Sequence, residues 1–136
     1  MRFYKFILMG LTASATIIFC HPVFAYDDER VGINLKDDYG NCALYYQYVL
    51  KNVNGATPEQ MKSFQISAET AMKMYLKFNE GETTKQIEAH LDFYNIAMSK
   101  IYREEGFDRL LVMYSDFCKM MFTNPQPRIE YWKNKQ

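Results

Sequence analysis

Two cysteines, Cys42 and Cys118, lie 76 residues apart. A bond between them would constrain the chain more than any other feature, because it would tie the start of the folded region to its end. Whether they pair depends on where the chain resides, and the N-terminus bears on that. Arg2 and Lys5 make a short basic front, and fifteen largely apolar residues follow, Phe6 to Cys20. Pro22 comes next, then Val23-Phe24-Ala25, then the acidic run Asp27-Asp28-Glu29. This is the layout of a secretory signal, with cleavage expected between Ala25 and Tyr26. A membrane-spanning helix needs roughly 20 apolar residues, so a shorter run ended by a proline is a poor anchor. Cys20 would suit lipid attachment only with a small residue before it, and Phe19 is bulky. The expectation is a signal peptide over residues 1–25 and one domain over 26–136. The domain would be exported to a periplasmic or extracellular space, with no stable membrane anchor after cleavage.

Removing the signal removes Cys20 and leaves two cysteines in an oxidising compartment, where an even count favours pairing. A cysteine nucleophile would want a histidine, and His90 is the only histidine beyond residue 25. A structural metal site would want about four ligands, usually in close Cys-x-x-Cys pairs, and the sequence has no such pair. A disulfide is therefore the expected role.

The spacing of apolar residues predicts four helices, at about 38–53, 58–78, 84–105 and 108–122, with an irregular N-terminal segment and an irregular tail, 123–136. The first carries Cys42, Tyr46, Val49 and Val53 and stops at Asn54-Gly55. The second opens on Thr57-Pro58-Glu59-Gln60, a capping box with proline in the first turn. Its stripe is Met61, Phe64, Ala68, Ala71, Tyr75 and Phe78. The third has Thr83 and Gln86 in capping-box spacing and the stripe Ile87, Leu91, Tyr94, Met98, Ile101, ending at Gly106. The fourth is expected to be capped by Asp108 and carries Leu111, Tyr114, Cys118 and Met121 before Pro125 and Pro127. All connections are short, so neighbours should run antiparallel. In such a bundle Cys42 and Cys118 stand almost equally far from one end, on facing stripes. The expected fold is all-α: a disulfide-stapled antiparallel up-down four-helix bundle.

Signatures of catalysis are missing from the sequence. There is no Gly-rich phosphate loop, no Gly-x-Ser-x-Gly elbow, no His-Glu-x-x-His and no Cys-x-x-Cys-His. Carboxylate clusters such as Asp37-Asp38, Glu80 with Glu82, and Glu104-Glu105 read as solvated caps and turns. The seven methionines beyond residue 25 suit Cu(I) in principle, but Met61 and Met98 fall on core stripes, where methionine fills gaps. His90 reads as a boundary residue. No catalytic residue, metal ligand or cofactor is therefore expected. Residues 26–136 hold 14 basic and 16 acidic residues, with no basic block of the kind that marks nucleic-acid binding.

The informative surplus is aromatic. Ten tyrosines, six phenylalanines and one tryptophan lie beyond residue 25. Tyr45 and Tyr48 fall off the first helix's stripe, and Tyr131 and Trp132 lie in the tail. Tyrosine and tryptophan are enriched where proteins bind one another. These four are the expected contact residues of an exported binding protein without catalytic activity. An inhibitor or immunity-type protein acting on a periplasmic hydrolase or toxin is the leading version. A periplasmic chaperone or assembly accessory, and a metal or haem carrier, are the alternatives.

Overall fold

The computed structural model describes residues 28–135. They form five helices: α1 (Asp28–Asn52), α2 (Pro58–Phe78), α3 (Thr84–Glu105), α4 (Phe107–Thr123) and α5 (Gln126–Asn134). The expected signal peptide and its cleavage site at Ala25 and Tyr26 lie outside the described residues.

α1 begins ten residues before the expected start at 38, and the segment ahead of that point is helical, not irregular. Val31 and Leu35 extend the stripe of Tyr39, Cys42, Tyr46 and Val49 by two steps of four, and all six are buried. Burial of that longer stripe outweighs the roughly 1 kcal/mol that each of Gly32 and Gly40 costs a helix. Gly40 has a packing reason. A Cβ there would stand 2.8 Å from Tyr94 Cε2 and 3.1 Å from the Tyr75 ring. The missing side chain lets α1 lie directly against two tyrosines.

α1 is the hub and contacts each of the other four helices, while α3 also packs on α4. Side-chain pairs fix the directions. Tyr39 stacks on Phe78, and the site of the Gly40 Cβ faces Tyr75, so α2 runs antiparallel to α1. Asp37 meets Tyr94 and Asn52 meets Tyr102, so α3 runs parallel to it. Tyr39 meets Phe122 and Tyr45 meets Tyr114, so α4 is antiparallel again. The up-down order is the expected one.

The turns use the expected residues. Thr57 and Gln60 complete a capping box before α2, as do Thr83 and Gln86 before α3. Gly55 and Gly81 supply positive φ between the helices. The third connection differs from expectation. Gly106 alone joins α3 to α4, so the cap is this glycine and not Asp108, which falls in the first turn of α4. Gly106 has φ +87° and donates its N–H to the Tyr102 carbonyl, so one residue closes one helix and opens the next. The tail also differs. Pro125 and Pro127 end α4, but a proline is tolerated in a helix's first turn, and α5 begins there.

Cys42 and Cys118 are bonded, with Cα atoms 5.5 Å apart, and both are fully buried. With Val49, Ala71, Tyr75, Met98, Leu110 and Met121 they are among the most deeply buried side chains of the core. The protein is a disulfide-stapled helical bundle. On the chain-entropy model, closing a loop of this length restrains the unfolded chain by roughly 4.5 kcal/mol.

Candidate functional site

The four aromatic residues expected to form a contact surface have separate fates. Tyr45 is 3% exposed. Its ring stacks on Tyr114 at 5.8 Å and tilts against Tyr46 at 5.0 Å, and burial pushes its hydroxyl up from the ordinary tyrosine value. It is a core residue. A single-stripe reading fails for α1 because helices surround it, and Cys42, Ala43, Leu44, Tyr45 and Tyr46 are buried in succession. Tyr48 is half-buried: it donates to Asn95 Oδ1 at 3.2 Å, with its ring against Tyr102. Trp132 is half-buried as well, and only Tyr131, at 47%, is largely exposed.

Trp132 belongs to a clasp centred on Asp38. Arg128 donates from Nε to Asp38 Oδ2 at 2.7 Å and from Nη2 to Oδ1 at 2.8 Å. Trp132 Nε1 donates to Oδ2 at 2.8 Å. The guanidinium lies over the rings of Trp132, Tyr131 and Phe117, at 4.4, 4.7 and 5.1 Å. The bond to Asp38 holds the Arg128 pKa above its ordinary value. Arg128 and Trp132 stand four apart, so one face of α5 presents both to a single carboxylate. Asp38 is 7% exposed. The reading of Asp37-Asp38 as solvated acids is therefore corrected, since both sit mid-helix with interior partners.

The second polar group gathers where α1 meets the α2–α3 turn. Tyr94 donates its hydroxyl to Asp37 Oδ1. Burial first, and then that bond to the carboxylate, push the Tyr94 pKa well up. Lys36 Nζ meets Glu82 Oε1 at 3.0 Å, and the other oxygen, Oε2, faces His90 Nδ1 at 3.4 Å. Asn79 donates to the Tyr75 carbonyl at 2.6 Å. Each carboxylate here already has a partner: Asp37 has a phenol and Glu82 an ammonium. The arrangement ties the turn to α1. Among the described residues, no three of His, Cys, Asp and Glu converge as a metal-holding group.

Outside both groups several large apolar side chains are exposed. Phe93 and Ile96 on α3 are 69% and 66% exposed, and Val112 and Met113 on α4 are also exposed. Ala89 and Ala97 are exposed on the same side of α3 as Phe93 and Ile96. A shallow, mainly apolar recess lies between α1 and α2, lined by Gln47, Ala68, Glu69, Met72 and Lys73. The α3 face is absent from the expected contact set, although a signal for it existed. Phe93 and Ile96 are large apolar residues three apart, and both fall off the stripe of Ile87, Leu91, Tyr94, Met98 and Ile101. Among the described residues, no helix is long and apolar enough to cross a membrane. Comparison with protein-family models, curated proteins and solved structures finds no match to this chain.

Proposed function

We propose that this chain is an exported protein-binding protein that works by surface recognition and not by catalysis. Its mode would be that of an inhibitor or immunity-type protein directed at an exported hydrolase or toxin. The observation that supports this reading is the outer face of α3. Phe93 is the most exposed of the large aromatic residues described, and Ile96 stands beside it one turn on. Scattered exposed apolar residues are ordinary. Two large ones in one turn, flanked by Ala89 and Ala97, make a continuous apolar strip of the kind that marks interaction sites. The disulfide and the N-terminal layout of basic, apolar and small residues support export. Tyr131 is retained as a candidate contact of lesser weight.

A photo-reactive phenylalanine analogue placed at position 93 tests the reading, with the same analogue at exposed Gln65 as control. The expected result is one discrete cross-linked protein species from position 93 and none from 65. Phe93→Ala should weaken that association at least roughly 10-fold. Equal labelling from both positions, or none from 93, would sink the proposal.

A further inference from the structure

Polar atoms buried without a hydrogen-bond partner are rare in folded proteins, and each calls for an explanation. Among the described residues three side-chain atoms are in this position: Asn79 Oδ1, Glu82 Oε2 and His90 Nδ1. All three fall within residues 79–90, around the turn between α2 and α3. Glu82 donates its N–H to the Asn79 carbonyl at 3.0 Å, which holds those two residues in one turn. Asn79 is 3% exposed, and its Nδ2 donates to the Tyr75 carbonyl, so the free atom of the amide is the oxygen. Tyr75, one helical turn earlier, donates its hydroxyl to the Ile87 carbonyl at 3.4 Å. Glu82 Oε2 and His90 Nδ1 stand 3.4 Å apart. An N–H···O bond is usually shorter, about 2.7–3.2 Å. The separation fits the edge of a zinc tetrahedron, because metal–ligand distances of about 2.0–2.2 Å set neighbouring ligands about 3.3–3.5 Å apart.

We propose that the α2–α3 turn binds a zinc ion between Glu82 Oε2 and His90 Nδ1, with Asn79 Oδ1 as the third donor and water in the fourth position. Two of the donors are of the usual metal-ligating kinds, and the third is an amide oxygen. Imidazole suits zinc and the neighbouring transition metals, and it argues against calcium and magnesium, which take oxygen ligands. Lys36 Nζ holds the other carboxylate oxygen at 3.0 Å, so Glu82 is oriented before an ion arrives. The His90 side chain is 43% exposed although its Nδ1 is buried, so an ion has a short way in from solvent. Local charge favours a cation. Residues 77–92 hold four acids against two lysines, and α1 adds Lys36 with Asp37 beside it. Lys36 is a cost, since its ammonium repels an ion across the shared carboxylate, and the affinity is therefore moderate, below that of a closed four-ligand site. A bound ion would join Asn79, at the end of α2, to His90 in the second turn of α3, and so brace their connection. The proposal does not rest on the outer face of α3.

Equilibrium dialysis of the protein, purified without a polyhistidine tag, against zinc chloride up to about 200 µM fills a site of moderate affinity and counts the bound ions. One zinc per chain is expected. His90 is the only histidine beyond residue 25, so its ring resonances are a single reporter in the NMR spectrum and should shift as that one equivalent binds. The melting temperature should rise with zinc and fall back with a chelator. Glu82→Gln and His90→Gln should each weaken zinc binding at least roughly 10-fold. Asn79→Ala should do the same, with its melt recorded alongside because that side chain also supports the end of α2. Glu82 and His90 are only part-buried, so their variants keep the test independent of folding. Glu105→Gln, whose carboxylate pairs with Arg109, should bind zinc as the wild type does. No ion bound at the highest concentration overturns the proposal. So does a bound ion that leaves the His90 resonances in place, or an affinity unchanged in Glu82→Gln and His90→Gln. A His90 signal that follows pH and ignores zinc identifies a plain ion pair with Glu82 and overturns it equally. None of these results touches the docking reading of α3, which cross-linking from position 93 tests separately.

Discussion

Asp38→Asn is the most incisive single perturbation of this fold. The carboxylate accepts two hydrogen bonds from Arg128 and one from Trp132 Nε1. An amide in its place can accept at one atom only and carries no charge. Breaking a buried ion pair by removing one member costs about 3–5 kcal/mol. The Arg128 side chain keeps 23% of its surface exposed and can recover part of its hydration, so the expected loss lies at the lower end, about 3 kcal/mol. The loss has a ceiling, because α5 is a nine-residue helix that can detach while the rest of the bundle holds. The sequence supplies its own reporter, since Trp132 is the only tryptophan. In Asp38→Asn, Trp132 emission should shift to the red at temperatures where the far-ultraviolet helix signal is still intact. In the wild type the two signals should change together. The second partner supplies a control. Adding Arg128→Met to Asp38→Asn should recover about 1 kcal/mol or more, because it removes the charge left without a partner. A tryptophan transition unchanged by Asp38→Asn, or a double variant worse than the sum of the two singles, would refute the clasp as the anchor of α5.

Other perturbations follow from the same geometry. Gly32→Ala should stabilise the protein by about 0.5–1 kcal/mol, because the nearest neighbour of the new methyl group is Phe78 Cδ1 at 4.0 Å and alanine favours the helix. Gly40→Ala, in the same helix, should destabilise it by about 1–3 kcal/mol through collision with Tyr75 and Tyr94, and parallel thermal melts compare the two. The hydroxyls of Tyr39, Tyr45, Tyr46, Tyr75, Tyr94 and Tyr114 are all raised, chiefly by burial. A raised pKa contributes stability that is complete below the unfolded value, near 10, and is lost as pH climbs beyond it. Denaturant midpoints should therefore hold up to about pH 9.5 and fall steeply above about 10, with phenolate absorbance appearing together with unfolding. Mass spectrometry without reductant should find the exported chain two hydrogens lighter than its sequence, and N-terminal sequencing should begin at Tyr26. Replacing both cysteines by serine should lower the melting temperature by an amount equivalent to about 2–5 kcal/mol.

The core stripes, both capping boxes and the pairing of Cys42 with Cys118 were legible because each depends on spacing within one helix or on the ordering of short connections. The features that were not legible depend on partners far away in the chain. Arg128 and Trp132, four apart just after two prolines, look like tail residues until a buried carboxylate 90 positions before Arg128 is placed beside them. Asp38, in turn, looks like a surface acid until α5 covers it. Tyr45 was misplaced because a helix with neighbours on several sides buries more than one stripe, and no local pattern in α1 says how many neighbours it has. Phe93 and Ile96 were visible as apolar residues off a stripe, but a count of tyrosine and tryptophan alone passes over them.

The hub position of α1 has a consequence for how the chain acquires its structure. Of the described helices α1 is the first to be synthesised, and it is the last to be fully covered. α2 can pair with it early, but α4 and α5 are made only after Gly106 and Pro125. Until then the surfaces around Cys42, Tyr45 and Tyr46 lack Cys118, Tyr114 and Phe122. The core around Cys42 is therefore completed only when the end of the chain has been made, and a product truncated before α4 would leave Cys42 as a free thiol amid uncovered aromatic residues. Among the described residues Cys42 and Cys118 are the only cysteines, so within that part of the chain one disulfide is the only one that can form.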